Sequence, residues 1–116
     1  MTNLTNIKVS YHFQNDRTGR KAQIDAIVGN NWGQPIKEAF VTDSWKVLTD
    51  KGLCFVLTAD KSLIMTYYLV TMATVNKFYN HGKVPAFIER RVQQNASAYL
   101  KLYGESMRYK KELKRY

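Results

Sequence analysis

Cysteine occurs once in these 116 residues, at Cys54, so neither an internal disulfide nor a thiolate metal cluster can form. Cys54 lies inside an apolar run and reads as a small buried hydrophobe. Histidine occurs only twice, as His12 and His81, with no HxxxH or CxxC spacing and no close carboxylate cluster. No metal and no other cofactor is therefore expected. The patterns GxxxxGK[ST], GxGxxG and GxSxG do not occur, which removes support for nucleotide-binding loops and for a serine-hydrolase elbow. Long hydrophobic runs are missing too. The longest, residues 63–70, is far too short to span a bilayer. The first six residues are polar and show no signal peptide. No membrane partner is expected, and the chain reads as cytoplasmic, in a bacterial, phage or plasmid setting. With no repeat, low-complexity segment or Pro/Gly/Ser linker, residues 1–116 read as a single domain.

Acidic residues are scarce as well: nine, against 18 Lys and Arg, for a net charge of +9. Residues 1–60 hold seven basic and six acidic side chains; residues 61–116 hold eleven and three, so +8 falls in the C-terminal half. A field of one sign concentrates polyanions and speeds their capture. Nucleic acid is the partner this favours, RNA ahead of DNA, and an acidic protein surface is the alternative. Hydrophobic residues make up 45% of the chain, enough for one core, and aromatics 13%, eight of them Tyr, which can pack or stack.

The pattern along the chain predicts an α+β fold. Residues 7–13 alternate apolar and polar through Ile7, Val9, Tyr11 and Phe13, a strand signature. Residues 15–19 form a turn cluster. Residues 20–28 fit a strand through Ala22, Ile24, Ala26 and Val28, or a helix opened by Asp16 and closed by Gly29; the helix is favoured and both remain open. Residues 36–41, 44–48, 53–58 and 63–70 are β-rich, and the short breaks between them require antiparallel neighbours. Gly52 suits a turn position with positive φ. Residues 53–58 and 63–70 are apolar on both faces, as central strands covered on each side would be. Two helices follow. One spans 71–79 and ends at Gly82 as its C′ glycine. The other starts near Pro85 and runs to about residue 114, with an apolar stripe through Ile88, Val92, Ala96, Tyr99, Tyr103 and Met107 and a possible break at Gly104. The expected architecture is a four-stranded antiparallel sheet, preceded by a short strand or helix and followed by two C-terminal helices.

Three groups of residues could carry chemistry. Lys101, Arg108, Lys110, Lys111, Lys114 and Arg115, with Tyr109 and Tyr116 among them, make a basic aromatic helix end suited to phosphates and bases. A solvated last turn that complements the helix dipole is the plain alternative. His12, followed by Arg17 and Arg20, joins a group that exchanges protons near neutral pH to groups that hold phosphate. Thr66 and Tyr68 bring hydroxyls into the most apolar strand, as β filler or as contacts presented from a rigid sheet. His81 reads as a helix cap.

The stretch from His12 to Tyr68 resembles the barnase/EndoU/colicin/RelE-like ribonucleases found among bacterial and phage toxins. His12, Arg17 and Arg20 match the early His and Arg residues of some members. Thr66 and Tyr68 match a Ser/Thr-x-Tyr element on the last strand, and residues 45–52 with 55–58 match the middle hairpin. The resemblance implies a metal-independent endoribonuclease. His12 would act as general acid or base, Arg17 and Arg20 would bind the phosphate, and Thr66 and Tyr68 would position the substrate. Two alternatives stand beside it. One is a non-catalytic nucleic-acid-binding module. The other is a small phage or plasmid inhibitor or adaptor that docks on an acidic target protein or meets a neutralising one.

Overall fold

The structure, a computed structural model, describes residues 2–15 and 18–104. It is an α+β fold around a five-stranded mixed sheet with the order β1-β5-β4-β3-β2. The strands are β1 (Lys8–Val9), β2 (Pro35–Val41), β3 (Ser44–Thr49), β4 (Leu53–Thr58) and β5 (Leu63–Leu69). The helices are α1 (Tyr11–Gln14), α2 (Arg20–Val28), α3 (Met72–Phe78) and α4 (Ala86–Tyr103). Strands β2 to β5 form the antiparallel meander expected from their short turns.

The fifth strand corrects the four-stranded expectation. β1 pairs parallel to β5 over two residues only, Lys8 with Leu63 and Val9 with Ile64. The expected strand over 7–13 stops because Ser10 redirects the chain. Its amide donates to the Ile64 carbonyl and its hydroxyl donates to the Met65 carbonyl. The same oxygen accepts the Phe13 N–H, which makes Ser10 the N-cap of α1. Phe13 is buried and Tyr11 exposed, so the alternation seen in the sequence is split between two elements. Residues 20–28 are helical, and Gly29 ends α2 at φ 66.

The middle of the sheet is held by its turns. Gly52 adopts φ 77 between β3 and β4, and a Cβ there would stand 2.6 Å from Asn95 Nδ2. Thr42 and Asp43 join β2 to β3 at φ 45 and 62, the two left-handed residues that a tight hairpin needs. Asp60 shapes the β4–β5 turn by accepting from the Ser62 hydroxyl, the Ser62 amide and the Thr58 hydroxyl. Those bonds hold its carboxyl down at about 2.

β5 carries a bulge. Val56 pairs with Thr66 but Leu57 pairs with Ile64, so Met65 is the extra residue and is 38% exposed. The insertion shifts side-chain parity by one. Ile64 and Tyr67 therefore enter the same core, while Thr66 and Tyr68 face the other side with Val56 and Cys54.

Each face of the sheet has its own core. On the first, Val47, Phe55, Leu57 and Tyr67 pack with Phe13, Ile24 and Ala96. On the second, Leu48 and Cys54 pack with Val70, Met72, Val75, Ile88 and Val92. α4 serves both, through Ile88 and Val92 on one face and through Ala96, Tyr99 and Leu100 on the other. It passes the end of the sheet at the β3–β4 turn, where Asn95 Nδ2 donates to the Lys51 carbonyl at 2.8 Å. The stripe expected through residues 88, 92, 96 and 99 is thus real, and it is shared between two cores.

α4 stops where a break at Gly104 was anticipated, and α3 closes differently from expectation. α4 ends at Tyr103 with Gly104 as its C-cap, and the rest of the expected helix lies outside the described residues. α3 is closed by Asn80 and His81 at φ 53 and 58, with the His81 N–H donated to Asn76 O at 2.7 Å; Gly82 is not left-handed. Gly52→Ala tests the crossing point of α4. Strain at positive φ together with the clash at Asn95 should cost about 2 kcal/mol, read as a lower urea midpoint with an unchanged m-value.

Candidate functional site

α3 and the first half of α4 cover only part of the second sheet face. The rest is an open half-face floored by Lys46, Val56, Thr66 and Tyr68, all partly exposed. β1 is too short to cover β5 beyond Ile64, and Arg20, the first residue of α2, reaches this side past the β5 edge. Its Nη2 lies 3.5 Å from Thr66 Oγ1, within donating range. Its guanidinium stands 5.4 Å from the centroid of the Phe13 ring, a cation–π contact. Arg20, Thr66, Tyr68, Leu69, Thr71 and Thr74 line a cleft of about 360 Å³.

The cleft places a guanidinium opposite a row of hydroxyls. Thr66 and Tyr68 come from β5, Thr71 is the N-cap of α3, and Thr74 lies in the first turn of that helix. Arginine offers donors in a planar fork that suits phosphate or carboxylate, and hydroxyls complete the bonding around such an anion. Thr71 and Thr74 were not singled out in the sequence. Their signal is the position of Thr71 at the strand-to-helix junction, three residues before Thr74, which puts both at one helix mouth.

The helix that carries Arg20 is fixed by a buried polar chain. Asp25, only 8% exposed, accepts the Tyr67 phenol at 2.7 Å and pairs with Lys21 at 2.8 Å. Trp32 interacts with the same phenol oxygen. Burial, and then the Asp25 carboxylate, push the Tyr67 phenol well above the usual tyrosine range. Tyr67 also packs on Phe13, Phe55 and Trp32 at ring-centroid distances of 4.7, 4.7 and 5.4 Å. Thr66 and Tyr68 flank Tyr67 in β5, so one bond on the first face sets the position of Arg20 relative to the cleft on the second.

The other candidates fall elsewhere. His12 is exposed on α1 and is not one of the side chains lining the cleft. Lys101 is exposed in the last turn of α4. Arg17, Arg108, Lys110, Lys111, Lys114 and Arg115 lie outside the described residues. Cys54 is fully buried behind Tyr68, and burial raises its thiol despite opposing pulls from Tyr68 and Lys46, so it is no nucleophile at neutral pH. His81 is exposed at the end of α3. Among the described residues no three His, Cys, Asp or Glu side chains converge on a metal position, and no helix is long and apolar enough to cross a membrane.

No family model, curated protein or solved structure matches this chain.

The Asp25–Tyr67 bond has a pH signature. A phenol raised in the folded state contributes stability that is complete below the unfolded value of about 10 and is lost as pH rises beyond it. Tyr67→Phe should cost about 1.5–3 kcal/mol at neutral pH. It should also flatten the loss of stability between about pH 9.5 and 11.5, followed by urea denaturation across that range.

Proposed function

We propose that this protein binds nucleic acid, RNA in preference to DNA, with a backbone phosphate seated in the cleft between α2 and β5. The observation that carries the reading is the convergence of Arg20, Thr66, Tyr68, Thr71 and Thr74 on one open cleft. A guanidinium faced by hydroxyls suits a phosphate diester. The surrounding charge agrees with it: Lys46 and Lys77 line the adjoining surface, and residues 61–116 supply most of the positive excess. Lys101 and the sequence beyond it, with Arg108, Lys110, Lys111, Lys114 and Arg115, would hold more distant phosphates by charge alone.

Fluorescence anisotropy with a labelled RNA oligomer tests this. Affinity should fall steeply with salt as counterions are released. Arg20→Ala should weaken binding about tenfold and lower the log–log salt slope by roughly one, and Thr66→Val should weaken it less without changing the slope. An affinity equal to the parent's in both variants would remove the cleft from the interface.

A second reading is metal-independent RNA cleavage at the same cleft, with a 2′,3′-cyclic phosphate as product. What favours it is the stacking of Arg20 on Phe13, the residue after His12, which brings α1 beside the cleft. His12 would then trade the proton while Arg20 stabilises the charge building on phosphorus-bound oxygens. Purified protein incubated with end-labelled RNA in EDTA should cleave it, and His12→Ala should lose about 10²–10⁴-fold in rate while remaining folded. Intact RNA at micromolar protein would leave the binding function alone.

A further inference from the structure

The cleft at Arg20 does not end at Tyr68. A second cavity of about 210 Å³ adjoins it and shares Tyr68 and Thr74 with the first. Its walls have a different chemistry. Ala39 and Val41 from β2 and Phe78 from α3 supply apolar surface, and Tyr68 supplies an aromatic one. Lys46 and Lys77 stand among them. Val41 is 46% exposed, and Lys77 is exposed, so the cavity opens to solvent along the β2 edge. Phe78 is partly buried against the core below, which holds its ring in place.

We propose that this second cavity is a nucleobase slot, so that the groove prefers single-stranded nucleic acid to duplex. The inference rests on the phosphate reading of the Arg20 cleft and adds a specificity to it. A base unpaired from its complement offers a flat apolar face and polar edges. Tyr68 and Phe78 provide the aromatic surfaces on which such a face rests, a contact tolerant of base identity. Lys46 and Lys77 donate to base-edge acceptors or to the next phosphate along the strand. Because the two cavities meet at Tyr68, a nucleotide would straddle that ring, its phosphate toward Arg20 and its base toward Phe78. In a duplex the bases are stacked and paired inside, and the slot stays empty while the backbone can still meet Arg20.

The experiment compares one fluorescein-labelled RNA dodecamer alone and annealed to its complement, with 2-aminopurine at a central position as a second probe. The single strand should bind at least tenfold tighter than the duplex, and 2-aminopurine emission should be quenched on binding. Phe78→Leu should weaken the single strand about tenfold, abolish the quenching and leave duplex binding unchanged. Ala39→Trp fills the slot from the edge strand without removing a core side chain, and should do the same if Phe78→Leu proves unstable by thermal melting. Equal affinity for both RNAs, both weakened by Arg20→Ala, overturns the slot and leaves the phosphate cleft standing. Binding of neither RNA overturns both.

Discussion

The hydrogen bond from Tyr67 to Asp25 joins two elements whose relative position decides everything on the opposite side of the sheet. A carboxylate taken out of water is costly unless its lone pairs are met, and here a phenol and the Lys21 ammonium meet them. Hydrogen bonds to charged groups contribute about 1.5–3 kcal/mol, more than most neutral ones. The bond also sits within an aromatic cluster of Phe13, Trp32 and Phe55 that admits little rearrangement of the phenol. α2 is consequently docked on β5 at a defined height. That height is what lets a side chain at the helix start pass the strand edge and meet Thr66.

The bulge at Met65 is the second device on which the site depends. Without an extra residue, Ile64 and Tyr67 would face opposite sides of the sheet, and either the core or the cleft would lose a member. With it, one strand feeds an apolar core through Ile64, Tyr67 and Leu69 and a polar surface through Thr66 and Tyr68. The brevity of β1 matters for the same reason. A longer first strand would cover the β5 edge that Arg20 uses.

Much of this architecture was readable from residue patterns. The four meander strands and both C-terminal helices follow from short polar breaks and from apolar spacing, because those signals are local. Gly52 was legible for the same reason: a turn of that length needs a residue tolerant of positive φ. The misreading of residues 7–13 has a specific cause. Ile7, Val9, Tyr11 and Phe13 alternate, yet the strand is ended by a serine held to the carbonyls of Ile64 and Met65, more than 50 positions away. His81 was legible at the end of α3, but the left-handed turn at Asn80 and His81 was not, because Gly82, the next residue, looked the better candidate for that conformation. Of the site, Arg20, Thr66 and Tyr68 were visible as residue types, and their convergence was not, since it depends on the Asp25–Tyr67 bond and on the bulge. His12 looked like part of the same set because it is near Arg20 in sequence. The structure places His12 on α1, exposed and outside the residues that line the cleft.

The passage of α4 from one face of the sheet to the other has a consequence for how the chain acquires its structure. Both cores stay unfinished until the same late segment arrives, so an emerging polypeptide that has already paired β2 to β5 still exposes apolar surface on two sides. The last helix, through residues 88–100, thus completes the packing on both sides of the sheet at once.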